Sequence, residues 1–287
     1  MTSGTPSMSG TPSTFSIGGD YRVSRLGFGA MRLPTGPGSD RDTAIAVARR
    51  AVELGVTLID TAHMYGWGAN EELLAEALHP YPDDLLIATK AGITRSGPDG
   101  WAHDARPESL REQVEQSLHR LRTERVGLLQ LHRIDPTVHL AEQIGSLHEL
   151  QQEGKIGHIG LSEVTAEQLA EARQTADIAS VQNRYNLLDR EHEPVLQACE
   201  AADIAFLPWQ PVAAAASGPA PAVHAVATEL GATAPQALLA WLLARSPVVL
   251  PIPGTSSLAH LEENLAAADL QLTESQRQRL DRTALPA

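Results

Sequence analysis

The sequence predicts a closed (β/α)8 barrel, and three observations carry that expectation. From residue 25 onward, short apolar runs of strand length alternate with longer amphipathic stretches, which is the pattern of a parallel sheet covered by helices. Eight strand-like runs can be marked, each followed by a helix-like stretch, and a chain of 287 residues has the length for one such barrel. A doubly wound open sheet is the alternative, but it would want a Gly-x-Gly-x-x-Gly turn after an early strand, and none is present.

The strand candidates are 25–31, 56–61, 85–90, 126–132, 157–162, 178–185, 204–209 and 248–252. The helix candidates between them are 41–54, 70–78, 107–121, 138–153, 166–175, 190–202, 221–230 and 235–245. Boundary chemistry supports the helices. Thr165 with Gln168, and Thr273 with Gln276, have the spacing of a capping box. Pro107 and Pro235 sit at first-turn positions, where the missing N–H costs nothing. Leu110, Val114, Leu118 and Leu121 form one stripe at helical spacing. A β-hairpin is expected ahead of the first barrel strand, and two appended helical segments, 258–267 and 274–283, behind the eighth. Residues 1–14, rich in Ser, Thr, Gly and Pro, do not read as a signal peptide and are expected to be a disordered tail; 15–287 form a single domain.

Composition narrows the function classes. With 43% hydrophobic residues the chain can bury a large core. A formal charge of −13 argues against general nucleic-acid binding, which needs clustered Lys and Arg, though it leaves room for a small anionic cofactor at a local positive site. No apolar run approaches the ~18 residues of a membrane-spanning helix. The single cysteine, Cys199, forbids an internal disulfide and suits a reducing, cytoplasmic setting. A monomer is expected, and an oligomer stays open.

Chemistry gathers where apolar sequence gives way to polar loop. Asp60, Tyr65, Lys90 and His132 lie at or just beyond the carboxyl ends of the second, third and fourth strand candidates, which are neighbours in a barrel. A phenol has an ordinary pKa of about 10, and a nearby ammonium favours its ionised form. Asp60 can hold the Lys90 ammonium in place, and His132 can orient a carbonyl oxygen or relay a proton. Each residue also has a plain structural reading: Tyr65 as a packed loop residue, Lys90 and Asp60 as a structural ion pair, His132 as a core histidine. His63, His132 and Asp60 could instead ligate zinc, but Lys90 at the same rim would repel a metal.

Several segments together identify a resemblance to the aldo-keto reductase superfamily, covering roughly residues 17–283. They are LGFGAMRL (26–33), LIDTAHMYGWGANEELLAEAL (58–78), IATKAG (87–92), LLQLHRID (128–135), LQQEGKIGHIGLSE (150–163), VQNRYN (181–186) and IPGTSSLAHLEEN (252–264). The resemblance implies that Tyr65 is the general acid, that Lys90 and Asp60 lower its pKa, and that His132 positions the substrate oxygen. It implies NADPH as cofactor, with NADH as an alternative. Gly29, Ala30 and Met31 would lie under the nicotinamide, Asp60, Ser162 and Gln182 near its carboxamide side, and Trp209, followed by Gln210 and Pro211, against its ring. Glu163 replaces the usual Asn beside Ser162, and a carboxylate cannot donate a hydrogen bond. Gly254, Thr255, Ser256 and His260 would face the phosphates, with Glu263 and Asn264 on the adenine side. Gly254 and His260 stand where basic residues are usual in the family.

On the substrate side the resemblance points to His63, Trp67 and Trp101, the last in a long loop after the third strand. The small side chains of 213–222 suggest an open pocket for bulky carbonyl compounds. The implied activity is reduction of an aldehyde or ketone to the alcohol, on a small-molecule substrate. The alternatives are a dedicated biosynthetic ketoreductase for a sugar or polyketide ketone, and a non-catalytic nucleotide-binding accessory protein.

Overall fold

The computed structural model describes residues 13–97, 100–213 and 220–283. Seven parallel strands lie side by side in the order β3 (Phe28–Gly29), β4 (Leu58–Asp60), β5 (Leu86–Ala91), β8 (Val126–Leu131), β9 (Ile156–Ser162), β10 (Ile178–Gln182) and β11 (Ala205–Phe206). Residues 248–253 close the ring. Phe206 N–H donates to the Val248 carbonyl and Leu250 N–H to the Phe206 carbonyl, both at 2.8 Å. On the other side Gly27 N–H reaches Pro251 O at 2.9 Å and Gly29 N–H reaches Pro253 O at 3.2 Å. The fold is the expected (β/α)8 barrel.

The closing stave is not a regular strand, and its sequence says why. Pro251 and Pro253 present carbonyls to β3 but have no N–H to return, so only half the ladder can form. The same deficit trims the first strand from the expected 25–31 to Phe28–Gly29.

The helices are α1 (Ser39–Glu53), α2 (Ala69–Leu78), α3 (Pro107–Leu121), α4 (Leu140–Gln152), α5 (Ala166–Ala172), α6 (Glu193–Ala202), α7 (Pro221–Leu230), α8 (Ala234–Arg245), α9 (Leu258–Ala266) and α10 (Glu274–Thr283). The expected capping boxes at Thr165 and Thr273 both form with reciprocal bonds, and Thr233 forms another with Gln236. Helix α6 starts later than expected because Pro194 fixes its first turn.

Other differences are local. The hairpin β1 (Thr14–Ile17) and β2 (Tyr21–Ser24) begins inside the segment expected to be tail, since Thr14 pairs with Ser24. The long loop after the third barrel strand contains an antiparallel hairpin, β6 (Ile93–Arg95) with β7 (Trp101–His103). The proposed tail residues 1–12 and most of the small-residue loop, 214–219, lie outside the described residues.

Side-chain period two divides the core in two. Leu58, Leu86, Ala88, Leu128 and Leu250 pack inside the barrel, and Ile17 and Val23 of the first hairpin belong to the same cluster. Ile59, Ile87, Ala91, Leu129 and Leu131 face outward, into the layer beneath the helices. That alternation positions the site: two residues on from Leu58, Ala88 and Leu128, the inward positions are Asp60, Lys90 and Gln130.

Candidate active site

Lys90 is fully buried, and an ammonium is tolerated there only with partners. Its Nζ donates to Asp60 Oδ2 at 2.6 Å, to the Thr61 carbonyl at 2.7 Å and to Tyr65 Oη at 3.3 Å. The other Asp60 oxygen accepts from Gln130 Nε2 at 3.1 Å and Gln182 Nε2 at 2.8 Å. Register makes this convergence possible, because Lys90 pairs with Gln130 and Gln130 with Gly160 on successive strands. A Cβ at Gly160 would sit 2.8 Å from Gln130 Cγ, so glycine leaves room for the amide that steadies Asp60.

Tyr65 opens a tight turn after β4. Gly66 and Trp67 adopt left-handed φ of 57° and 52°, and Gly68 follows at 99°. A tryptophan there is strained; the Arg95 guanidinium lies 4.8 Å from its ring centre and covers it. Gly68 backs onto Arg120, where a Cβ would come within 2.3 Å of the guanidinium carbon. Arg120 in turn contacts Glu71 Oε2 at 3.3 Å and His63 Nδ1 at 3.1 Å, and the buried Glu71 also accepts from Thr89 Oγ1 at 2.6 Å. The turn carrying Tyr65 therefore rests on a charged network between β5, α2 and α3. Asn70 adds a second brace, accepting from Thr61 Oγ1 at 2.6 Å and donating to Ala30 O at 2.9 Å.

The electrostatics correct one expectation. Burial is the largest influence on Tyr65 and pushes its phenol above 10; Lys90 pulls it back, and the net direction is upward. Tyr65 thus holds its proton at neutral pH. Lys90 remains an ammonium: burial disfavours its charge, but Asp60 and Tyr65 outweigh burial. His132, edge-on to Tyr65 with ring centres 6.0 Å apart, is pushed well below 6.5 by burial and by Lys90, so it is neutral.

His63 is likewise pushed down, to about 4, by burial and by Arg120. A base depressed in the folded state stabilises the fold above its unfolded pKa, and that stability is lost as pH falls from about 6.5 towards about 4. The shift corresponds to about 3 kcal/mol. Urea unfolding followed over this pH window should give a shallower pH slope for His63→Gln than for the unaltered chain; equal slopes would remove His63 from the acid limb.

The remaining expected residues surround this centre. Ser162, at the end of β9, has its Oγ 3.1 Å from an Arg133 nitrogen. Glu163, at φ 57°, does not take the place of a carboxamide donor. Its Oε1 accepts from Trp209 Nε1 and from Arg184 N–H, which clamps the aromatic ring at the rim. Gln210 and Pro211 follow in the turn after β11, Gln210 at φ 53°. Gly29 and Gly254 are in close contact, since a Cβ on Gly254 would lie 2.6 Å from the Gly29 carbonyl. Ala30 is buried and Met31 is 59% exposed in the turn after β3. Thr255 Oγ1 accepts from Ser257 N–H, and Ser257 caps α9 through His260 N–H. Ser256 and His260 are exposed and Asn264 is buried, while Glu263 accepts from Thr233 Oγ1 at 2.6 Å. Trp101 is 48% exposed on β7, paired with Arg95, so it belongs to a hairpin and not to an irregular loop.

Sequence reasoning missed Gln130, Arg133 and the Glu71–Arg120 pair. Of these only Gln130 carried a usable signal, as the inward position two residues before His132. Among the described residues no group of three or more His, Cys, Asp or Glu stands together as a metal site, and no helix is long and apolar enough to cross a membrane.

A proton-holding phenol lies against a buried ammonium at the carboxyl end of a closed parallel barrel, an arrangement able to serve acid–base chemistry. Comparison with known proteins narrows the class. The sequence model of the Aldo/keto reductase family matches residues 25–218 and 219–284, and the chain belongs to that family. It is 46% identical over 269 residues to an uncharacterized oxidoreductase of Schizosaccharomyces pombe, covering 92% of this chain and 87% of that one. It is 41% identical over 278 residues to pyridoxine 4-dehydrogenase of Escherichia coli, covering 93% and 97%. Among solved structures, the glycerol dehydrogenase of Gluconobacter oxydans superposes with a TM-score of 0.87 at 26% identity, over 96% of this chain and 97% of that one. An aldo/keto reductase of Klebsiella pneumoniae, solved in complex with NADP and acetate, gives 0.83 at 27% identity, over 96% of both.

Proposed function

We propose that this chain reduces an aldehyde or ketone to the alcohol, with NADPH as the preferred cofactor. The observation that carries this reading is the 3.3 Å approach of the Lys90 ammonium to a Tyr65 hydroxyl that keeps its proton. The Klebsiella pneumoniae relative's complex with NADP supports the choice of cofactor.

The donor set fits a dinucleotide. Ser162 Oγ accepts from Arg133 and retains its own O–H to donate, and Gln182, with Nε2 committed to Asp60, keeps Oε1 as an acceptor. These suit the two ends of a carboxamide. Trp209, clamped by Glu163, offers a ring face. Thr255, Ser256 and the first amides of α9, which have no intrahelical acceptor, suit phosphate oxygens. Residues 254–264 contain no Lys or Arg, so His260 and the hydroxyls would carry recognition of a 2′-phosphate.

When bound, the cofactor supplies the hydride. The protein's own part is the proton and the oxyanion. His132, neutral, presents a ring N–H to the carbonyl oxygen, and Tyr65 donates its proton to the same oxygen as negative charge develops there. Lys90 stabilises the phenolate left behind, and Asp60 keeps Lys90 charged and in place. Mixing the protein with NADPH or NADH and a carbonyl panel, including pyridoxal on the strength of the Escherichia coli relative, tests the reading through loss of reduced-nicotinamide absorbance. Turnover that favours NADPH is expected. NADPH binding with no turnover of any carbonyl would contradict it.

A further inference from the structure

Arg133 donates to neither Tyr65 nor the His132 ring, though its charge acts on both. It directly follows His132, beyond the end of β8. One guanidinium nitrogen reaches the His132 carbonyl at 2.6 Å and Ser162 Oγ at 3.1 Å, bridging the rims of the fourth and fifth barrel strands. Among the described residues no carboxylate lies within 4.0 Å of it, whereas Arg41, Arg50, Arg106, Arg111, Arg120 and Arg184 each have one. Glu163, the carboxylate that acts on it electrostatically, turns Oε1 to Trp209 and Arg184 and Oε2 towards His192 at 4.0 Å, not to Arg133. The guanidinium is partly buried, and losing water without gaining a counter-ion costs free energy unless a ligand supplies the charge.

Position separates that ligand from the phosphates of the nucleotide, although Ser162 brings Arg133 beside the carboxamide end. Strands four and five stand across the ring from strands eight and one, where Thr255, Ser256 and the start of α9 lie. The dinucleotide phosphates would therefore sit at the far rim. An anion at Arg133 belongs to the molecule being reduced, whose carbonyl lies between Tyr65 and His132.

We propose that Arg133 is a specificity-determining residue that selects carbonyl substrates bearing a carboxylate near the reacting carbon. The inference rests on the carbonyl-reductase reading above. A planar guanidinium fork matches a carboxylate in a way that the Ser162 hydroxyl and a backbone carbonyl do not, so the preference for an anion is set by this local contact, against the chain's net charge of −13.

The test compares 2-, 3- and 4-carboxybenzaldehyde with the three matching formylbenzamides, which have the same shape and no charge. In the unaltered protein the best carboxylate should exceed its amide in kcat/KM by roughly 10- to 100-fold, the worth of a charge-assisted hydrogen bond. Arg133→Gln should reduce that ratio to about one, with the loss mainly in KM, and Arg133→Lys should retain part of it. Parity between acid and amide in the unaltered protein overturns the proposal whether or not the variants fold. So does an equal loss on acids and amides in Arg133→Gln, which would make Arg133 a support for Ser162. If neither series is reduced with either cofactor, it is the reductase reading that fails; if the amides are reduced and the acids are not favoured, only the role of Arg133 fails.

Discussion

Tyr65→Phe lowers kcat for aldehyde reduction by roughly 10²–10⁴-fold, the usual worth of a positioned general acid, and leaves dinucleotide affinity close to that of the unaltered chain. The substitution removes one oxygen from a partly buried ring, so packing at the turn is conserved. What is lost is the donor to the developing alkoxide and one partner of Lys90, whose Nζ keeps Asp60 and the Thr61 carbonyl. Single-turnover kinetics with saturating cofactor separates the outcomes. A slowed chemical step with unchanged cofactor binding is expected. Retention of normal turnover would remove Tyr65 from the mechanism, and His132 would become the proton donor.

Lys90→Met has two effects of different origin. Asp60 is left buried with two amides and no cation, and breaking a buried pair this way costs about 3–5 kcal/mol of stability. Tyr65 simultaneously loses the charge that stabilises its phenolate, so turnover falls by roughly 10²-fold or more. The two effects can be separated by adding Asp60→Asn. Asn keeps an acceptor oxygen for Gln130 and Gln182, and no unpaired charge remains inside the barrel. The double variant should regain most of the lost stability in a denaturant titration while turnover stays low. If turnover recovered along with stability, the lysine would be a structural residue only.

Much of the fold and the centre of the site could be read from the sequence, and the reasons are physical. Apolar runs bounded by polar loops mark the strands, and period two inside each run fixes which residues point inward. Asp60 and Lys90 occupy such positions, at the strand ends that a barrel brings together. Less visible was anything depending on partners distant along the chain. Glu71 meets Arg120 across 49 residues, Gln130 meets Asp60 across 70, and Glu163 meets Trp209 across 46. No local pattern specifies such pairs, which is why Glu163 read as a misplaced carboxamide donor and proved to be a clamp on the ring. The direction of the Tyr65 shift was also illegible, because it is a balance of burial against charge and only the packed structure sets the burial. The shortened first strand was legible in principle, since Pro251 and Pro253 alternate in the stave it faces.

The most direct test of the account is the pH dependence of the single-turnover reduction rate with a neutral aldehyde. A phenol held above its ordinary pKa of about 10 predicts a flat rate through the neutral range and a decline only on the alkaline side. A rate that falls with rising pH at or below about 6.5, where imidazoles titrate, would show that an imidazolium and not Tyr65 delivers the proton, and would contradict the account.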